Sequence, residues 1–231
     1  GTALSFDGSN DYVDCGDGTS LDITSAITIS AWIKPTVIDQ YSYIVSRDDN
    51  TNRNFTLYTY TDEKIYFDMW SGGSAKGVES TSTVSAGTWY HLVATYDGSN
   101  QKLYFNGVLE DDDAETGSID NDDASLEIGR HGDSSDYFNG KISSVKIFNS
   151  ALTLAQIQEM YLNPEQILPT GVASSNLKLW LPLQEGSGTT NYDGSGNNND
   201  GTISGATWVK AETEIAQVGL VRQNKPMVFD G

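Results

Sequence analysis

Residues 88–109, TWYHLVATYDGSNQKLYFNGVL, narrow the fold of this chain more than any other stretch. Two runs of alternating apolar residues flank the turn cluster Asp97-Gly98-Ser99-Asn100. Such alternation is the period of a half-buried strand, because successive side chains point to opposite faces of a sheet. In the first run Trp89, His91, Val93 and Thr95 share one face, and Tyr90, Leu92, Ala94 and Tyr96 share the other. In the second, Leu103 and Phe105 face away from Lys102 and Tyr104. Asn106-Gly107 then predicts a tight hairpin, since a type I′ turn needs positive φ at both central positions. The product is a meander of antiparallel strands, and most of the chain reads the same way.

This stretch joins three others. They are Leu4-Ser5-Phe6-Asp7-Gly8 leading to Asp11-Tyr12-Val13; Ile27-Thr28-Ile29-Ser30-Ala31-Trp32-Ile33-Lys34-Pro35; and Phe138-Asn139-Gly140-Lys141-Ile142 leading to Val145-Lys146-Ile147-Phe148-Asn149-Ser150-Ala151-Leu152. In order and spacing over residues 3–161 the set resembles the laminin-G-like, concanavalin-A-like lectin domains of bacterial and phage surface proteins. The resemblance implies an all-β fold, an antiparallel β-sandwich jelly roll with one short helix near residues 153–162. Function does not follow from it, because this fold hosts lectins, enzymes and adhesive spacers.

Charge excludes several partners. A net charge of −19 repels nucleic acid, anionic membrane surfaces and sulfated glycans unless a cation intervenes, and the 13 Lys and Arg are scattered. The same acidity also serves plain solubility. Cys15 is the single cysteine, so no intrachain disulfide forms, and its strand context reads as a small packed residue. No apolar run of membrane-spanning length and no signal peptide appears, and the abrupt start at Gly1-Thr2 reads as a cut from a longer chain.

Three strands are predicted before Pro35, then a short one at Ile44-Val45-Ser46 running into a polar loop over 47–53. A hairpin follows across Thr61-Asp62-Glu63. In one registry it buries Phe55, Leu57, Ile65, Phe67 and Met69 and leaves Tyr58, Tyr60, Tyr66 and Trp70 on the opposite face beside Asp68; an even-numbered loop would instead pair Tyr60 with Ile65 and break this grouping. The acidic stretch 110–123 reads as loop. Thr153 and Gln156 form a capping box for a helix with Leu154, Ile157 and Tyr161 as its apolar stripe, stopped at Asn163-Pro164. We expect residues 1–165 to form the jelly roll, residues 166–175 a linker, and residues 176–231 a segment that resembles a module's opening strands. Met227-Val228-Phe229-Asp230-Gly231 echoes Leu4-Ser5-Phe6-Asp7-Gly8. That segment completes the sandwich in its own chain or, by strand exchange in a homo-oligomer, in a neighbour.

No catalytic constellation emerges. Hydrolases on this fold carry close carboxylates alternating along one strand, and Glu127, the nearest candidate, has none two residues to either side. The Arg, Gln, His and Tyr cluster of its lyases cannot be assembled. His91 alternates with Trp89 and Val93 and reads as a hydrogen-bonded core histidine; His131 lies in a polar loop without an adjacent nucleophile. Calcium is expected at Asp7, Asn10, Asp11 and Asp14 with Asp133 or Asp136, although Ser143 stands where the family often has a carboxylate. A second candidate is Asp193, Ser195, Asn197 and Asn199. Turn capping by Asp and Asn explains either cluster without metal. Tyr58, Tyr60, Tyr66 and Trp70, with Asp68 as hydroxyl acceptor, suit a glycan, because sugars stack apolar C–H faces on aromatic rings; packing beneath loops is the competing account.

The expected function is therefore a non-catalytic, calcium-stabilised carbohydrate-binding module of a larger extracellular, cell-surface or virion-surface protein, without nucleic-acid binding or membrane insertion. The glycan should be a neutral polysaccharide, or an anionic one only through bound Ca²⁺. Alternatives are a structural or adhesive module of a repetitive surface or phage-tail protein, and a divergent glycosidase.

Overall fold

The computed structural model describes residues 1–132 and 136–211. The strands are β1 (Thr2–Asp7), β2 (Tyr12–Asp14), β3 (Ile27–Pro35), β4 (Ser42–Asp48), β5 (Arg53–Thr59), β6 (Ile65–Ser71), β7 (Ser74–Glu79) and β8 (Tyr90–Tyr96). They continue with β9 (Asn100–Phe105), β10 (Val108–Ala114), β11 (Glu127–Ile128), β12 (Asn139–Phe148), β13 (Leu177–Leu181), β14 (Thr190–Asn191), β15 (Gly201–Ser204) and β16 (Thr207–Lys210). One helix, α1 (Leu154–Leu162), interrupts them. The first sheet runs β10-β9-β8-β3-β12-β1-β16, with β13 also on β12; the second runs β14-β15-β2-β11-β4-β5-β6-β7. All pairings are antiparallel. This is the expected jelly-roll sandwich.

The core lies between the sheets and collects one alternating face from each strand. Leu92, Ala94 and Tyr96 of β8 meet Phe55 and Leu57 of β5 and Phe67 and Met69 of β6 there, with Cys15 packed among them. The outer face of the first sheet is covered too. Val93, Tyr104 and Phe148 pack under Ile157 and Met160 of α1. The capping box forms as read: Gln156 N donates to Thr153 Oγ1 at 3.4 Å and Thr153 N donates to Gln156 Oε1 at 2.9 Å. The stripe is rotated, however. Leu154 points to solvent and Met160 takes its place in the core. Asn106 and Gly107 both adopt positive φ, 50° and 77°, as the tight hairpin demands.

Residues 177–210 pair within their own chain. β12 is long enough to take β1 along its first half and β13 along its second, from Leu4↔Ile142 to Ile147↔Leu179. β16 extends the first sheet beyond β1, and β15 joins the second beside β2. The terminal echo of the opening strand lies outside the described residues. Two strand assignments change. The acidic run at 111–113 is part of edge strand β10 rather than loop, and β4 continues through Arg47 and Asp48, which are buried. Arg47 is held by the carbonyls of Leu21 and Ala124 and by Asp22 Oδ1 at 2.8 Å, so its charge is compensated.

Candidate functional site

With α1 over the first sheet, the outer face of the second sheet is the broad surface that no helix of the described residues covers. Register decides which residues share it. Tyr43, Tyr58 and Tyr66 stand opposite one another across β4, β5 and β6. The next row runs Asp14, Glu127, Ser46, Thr56, Asp68 and Gly77 across six strands. Asn54 and Trp70 follow on β5 and β6. The predicted registry therefore holds, and Tyr58, Tyr60, Tyr66, Asp68 and Trp70 do lie on one face.

The tyrosines form a ladder. Tyr43, Tyr58 and Tyr66 stack in series with centroids 5.0 and 5.3 Å apart and planes within 26° and 17°. Tyr41 continues the stack 6.4 Å from Tyr43 and meets Tyr60 edge-on at 4.4 Å. His131 tilts against Tyr43 at 4.5 Å. Rings on neighbouring strands can stack only by standing edge-on to the sheet; the Tyr58 hydroxyl donates to Asp68 and the Tyr66 hydroxyl to Asp62. Tyr41 and Tyr43 belong to this group although the sequence reading passed over them. The signal was present in Tyr41-Ser42-Tyr43, two aromatics at strand spacing just before the predicted strand.

Asp68 lies within this ladder. Its Oδ2 accepts the Tyr58 hydroxyl at 2.9 Å, and its Oδ1 leans over Gly77, where a Cβ would come within 2.0 Å. Burial raises the pKa of Asp68, the Tyr58 bond lowers it, and the charge of Asp48 raises it again. The Tyr58 hydroxyl is pushed up by burial and then by Asp68. A half-buried acceptor beside phenol hydroxyls suits neutral polar ligands.

Trp70 differs from expectation. Its ring is 9% exposed, and the Arg53 guanidinium covers it at 5.3 Å. It faces the right side of the sheet but presents no open platform. Glu127 is likewise occupied: Arg130 Nε donates to its Oε2 at 2.9 Å while the Arg130 guanidinium also lies 3.7 Å over Tyr12. A polar cavity of about 270 Å³ adjoins it, lined by Asp14, Asp49, Asp123, Glu127 and Arg130.

The residues expected to bind calcium do not gather into a cation shell. Asp11 Oδ2 accepts from Asp7 N at 2.9 Å, Asp7 Oδ1 from Ser9 N at 2.8 Å, and Asp14 Oδ1 from Gly16 N at 2.8 Å. Each carboxylate caps a turn. Asp14 lies on the outer row opposite Glu127, Asn10 is exposed, Asp136 lies near Tyr41 and Tyr43, and Asp133 is outside the described residues. Among the described residues no group of three or more His, Cys, Asp or Glu could hold a metal ion. Asp193 is similarly spent, accepting from Trp180 N at 3.0 Å, Ser195 N at 2.9 Å and Asn199 N at 3.0 Å, while Asn197 and Asn199 bond the Lys178 carbonyl. That loop is a staple holding β13. No helix of the described residues is long and apolar enough to cross a membrane.

A family model described as the concanavalin A-like lectin/glucanases superfamily, Laminin_G_3, matches residues 7–158. No curated protein matches the sequence. Among solved structures, a candidate carbohydrate-binding protein from Bacteroides ovatus is 22% identical with a TM-score of 0.71, over 91% of this chain and 60% of that one. The chain thus spans 60% of that protein's length. Domain 4 of the extracellular arabinanase AbnA from Geobacillus stearothermophilus, solved with arabinotriose, is 18% identical with a TM-score of 0.56, over 69% of this chain and 76% of that one. A heptameric SAP-like pentraxin from Limulus polyphemus is 19% identical with a TM-score of 0.53, over 70% and 82%. At these identities the likeness is one of fold.

Proposed function

Because the chain belongs to the concanavalin A-like lectin/glucanases superfamily, we propose that it is a non-catalytic carbohydrate-binding module of a larger secreted or surface protein. One observation carries this reading. The uncovered outer face of the second sheet holds a tyrosine ladder beside a row of hydroxyls and carboxylates that includes Asp68. Neutral sugars need both, apolar surface for their C–H faces and a few fixed acceptors for their hydroxyls. The carbohydrate-binding assignment of the Bacteroides ovatus protein and the arabinotriose held by the arabinanase domain support it.

The carboxylates of the face and the net charge of −19 favour a neutral polysaccharide. No hydrolytic step is proposed, since Glu127 is engaged by Arg130. The reading does not call on calcium: one oxygen each of Asp11 and Asp14 accepts a backbone amide. An extracellular or surface location suits a polysaccharide ligand.

The test is calorimetric titration against neutral oligosaccharides. Tyr66 ends the stacked ladder; Tyr66→Ala should weaken binding about tenfold, or about 1.4 kcal/mol. Asp68→Asn should do the same by replacing the acceptor, with the fold retained in both. A glycan array without signal for the parent protein would favour the adhesive-module alternative. Release of reducing sugar would instead favour the glycosidase.

A further inference from the structure

Eight buried side-chain polar atoms among the described residues lack a hydrogen-bond partner, and four of them lie together on the candidate face: Asp48 Oδ2, both amide atoms of Asn54 and Thr56 Oγ1. Asn54 and Thr56 are alternate residues of β5, and Ser46, opposite Thr56, stands two residues before Asp48 on β4. All three side chains are at most 1% exposed. Buried polar atoms without partners carry their full desolvation cost, so four of the eight gathered on one patch call for an occupant.

The atoms themselves limit what that occupant can be. Asp48 Oδ2 only accepts, Asn54 offers an N–H₂ donor group and a carbonyl acceptor whichever way its amide is assigned, and Thr56 does both. An anion meets the Asp48 carboxylate and is repelled. A bare cation satisfies the oxygens but leaves the Asn54 N–H₂ facing positive charge. Two adjacent hydroxyls match the whole set: the first donates to Asp48 and accepts from Asn54, and the second bonds Asn54 and Thr56.

Arg53 borders this patch. Its guanidinium lies over Trp70 and its Nε is 3.9 Å from Asp48 Oδ1, yet its side chain keeps 40% of its surface exposed. The same Nε donates a hydrogen bond to the Asn50 carbonyl at 3.1 Å. Swung into solvent, it uncovers the face of Trp70 beside Asn54, and a sugar ring can take its place, since C–H groups seek the ring face as the guanidinium does. We propose that Asp48, Asn54 and Thr56 form an inner subsite for the vicinal diol of one neutral sugar unit, stacked on Trp70 after displacement of Arg53. The subsite rests on the carbohydrate reading of this face and specifies where its ligand is anchored.

The experiment titrates arabinotriose, xylotetraose, cellotetraose, laminaritetraose and mannotetraose against the parent protein and the variants Thr56→Val, Asp48→Asn, Arg53→Ala and Tyr66→Ala, with melting temperatures in parallel. Thr56→Val keeps the shape of the side chain and removes an unpartnered hydroxyl. It should leave the melting temperature equal or higher while weakening binding about tenfold. Asp48→Asn should weaken it at least as much, and Arg53→Ala should strengthen it by removing the competitor for Trp70. If Tyr66→Ala weakens binding while Thr56→Val and Arg53→Ala leave it unchanged, the subsite is overturned and the outer-face reading stands. A lower melting temperature with unchanged binding in Thr56→Val also overturns it, because the hydroxyl then serves the fold. If no oligosaccharide binds the parent protein, the carbohydrate reading falls and the subsite with it.

Discussion

His91 is 1% exposed, bonded to Ser30 Oγ through Nε2 at 2.8 Å and grouped with Trp32 at 5.0 Å and Tyr161 at 6.1 Å, which are also 5.8 Å from each other. Burial, helped by the charge of Lys146, pushes its pKa down to about 3. An unfolded chain takes up a proton at this position below about pH 6.5, and the folded chain refuses it until about pH 3. Stability is therefore lost as pH falls through that window and levels off below it, a loss of up to a few kcal/mol. His91→Gln keeps a hydrogen-bonding amide near Ser30 and removes the titration. Thermal melts should show a smaller drop between pH 7 and pH 4 for the variant than for the parent; equal drops would mean that other groups set the acid limit. The core role of His91 was legible, because it alternates with two apolar residues. The cover on Trp70 was not. Strand period gives the side of a sheet and says nothing of a side chain arriving from Arg53, at the far end of the neighbouring strand. The same limit applies to Asp7, Asp11 and Asp14, whose spacing suits a cation and a capped turn equally until the amides are placed.

At the scale of elements, β10 shows how an edge is protected. It borders the first sheet with Asp111, Asp112 and Asp113 in sequence, and Asp112 stands opposite Lys102. A bulge between Leu109 and Asp111 breaks its regularity. Charges and bulges on an edge strand oppose pairing with another molecule. Replacing Asp112 by Thr and Asp113 by Val removes two of these charges and makes the far half of the edge β-forming. The double variant should form larger species in sedimentation velocity at tens of micromolar, where the parent does not; an unchanged distribution would remove the protective role. This strand escaped the sequence reading because Asp is a poor strand former, and only pairing with β9 overrides that preference. β7 escaped for a different reason. Its residues alternate weakly, but Gly72-Gly73 was a hairpin signal: both adopt positive φ, 58° and 74°, and both amides donate to Asp120 at 2.8 and 2.7 Å. The capping box and the Asn-Gly turn were legible because their chemistry is complete within four residues.

For the whole molecule, the question is how the segment after α1 belongs to the fold. Its likeness to opening strands was legible, but whether it packs in its own chain is a matter of long-range pairing that no local pattern encodes. Here β13 and β16 enter the first sheet, and β14 and β15 enter the second. Leu179, Leu181, Leu183 and Ile203 enter the common core with them. Burying each such side chain is worth about 1.5–3 kcal/mol, so four contribute roughly 6–12 kcal/mol. That is comparable with the whole stability of a typical domain, about 5–15 kcal/mol. Truncation after Pro164 would also strip partners from β1, β2 and half of β12, leaving strand edges open to pairing between molecules. The shortened chain should aggregate or lose its cooperative melt, even though the family match ends at residue 158 and α1 is retained. Adding residues 166–231 as a separate peptide should restore a cooperative transition, because the pairing surfaces on β1, β2 and β12 would again be filled. A truncated chain that stays soluble with the parent's melting temperature would show instead that these strands decorate a sandwich already complete without them.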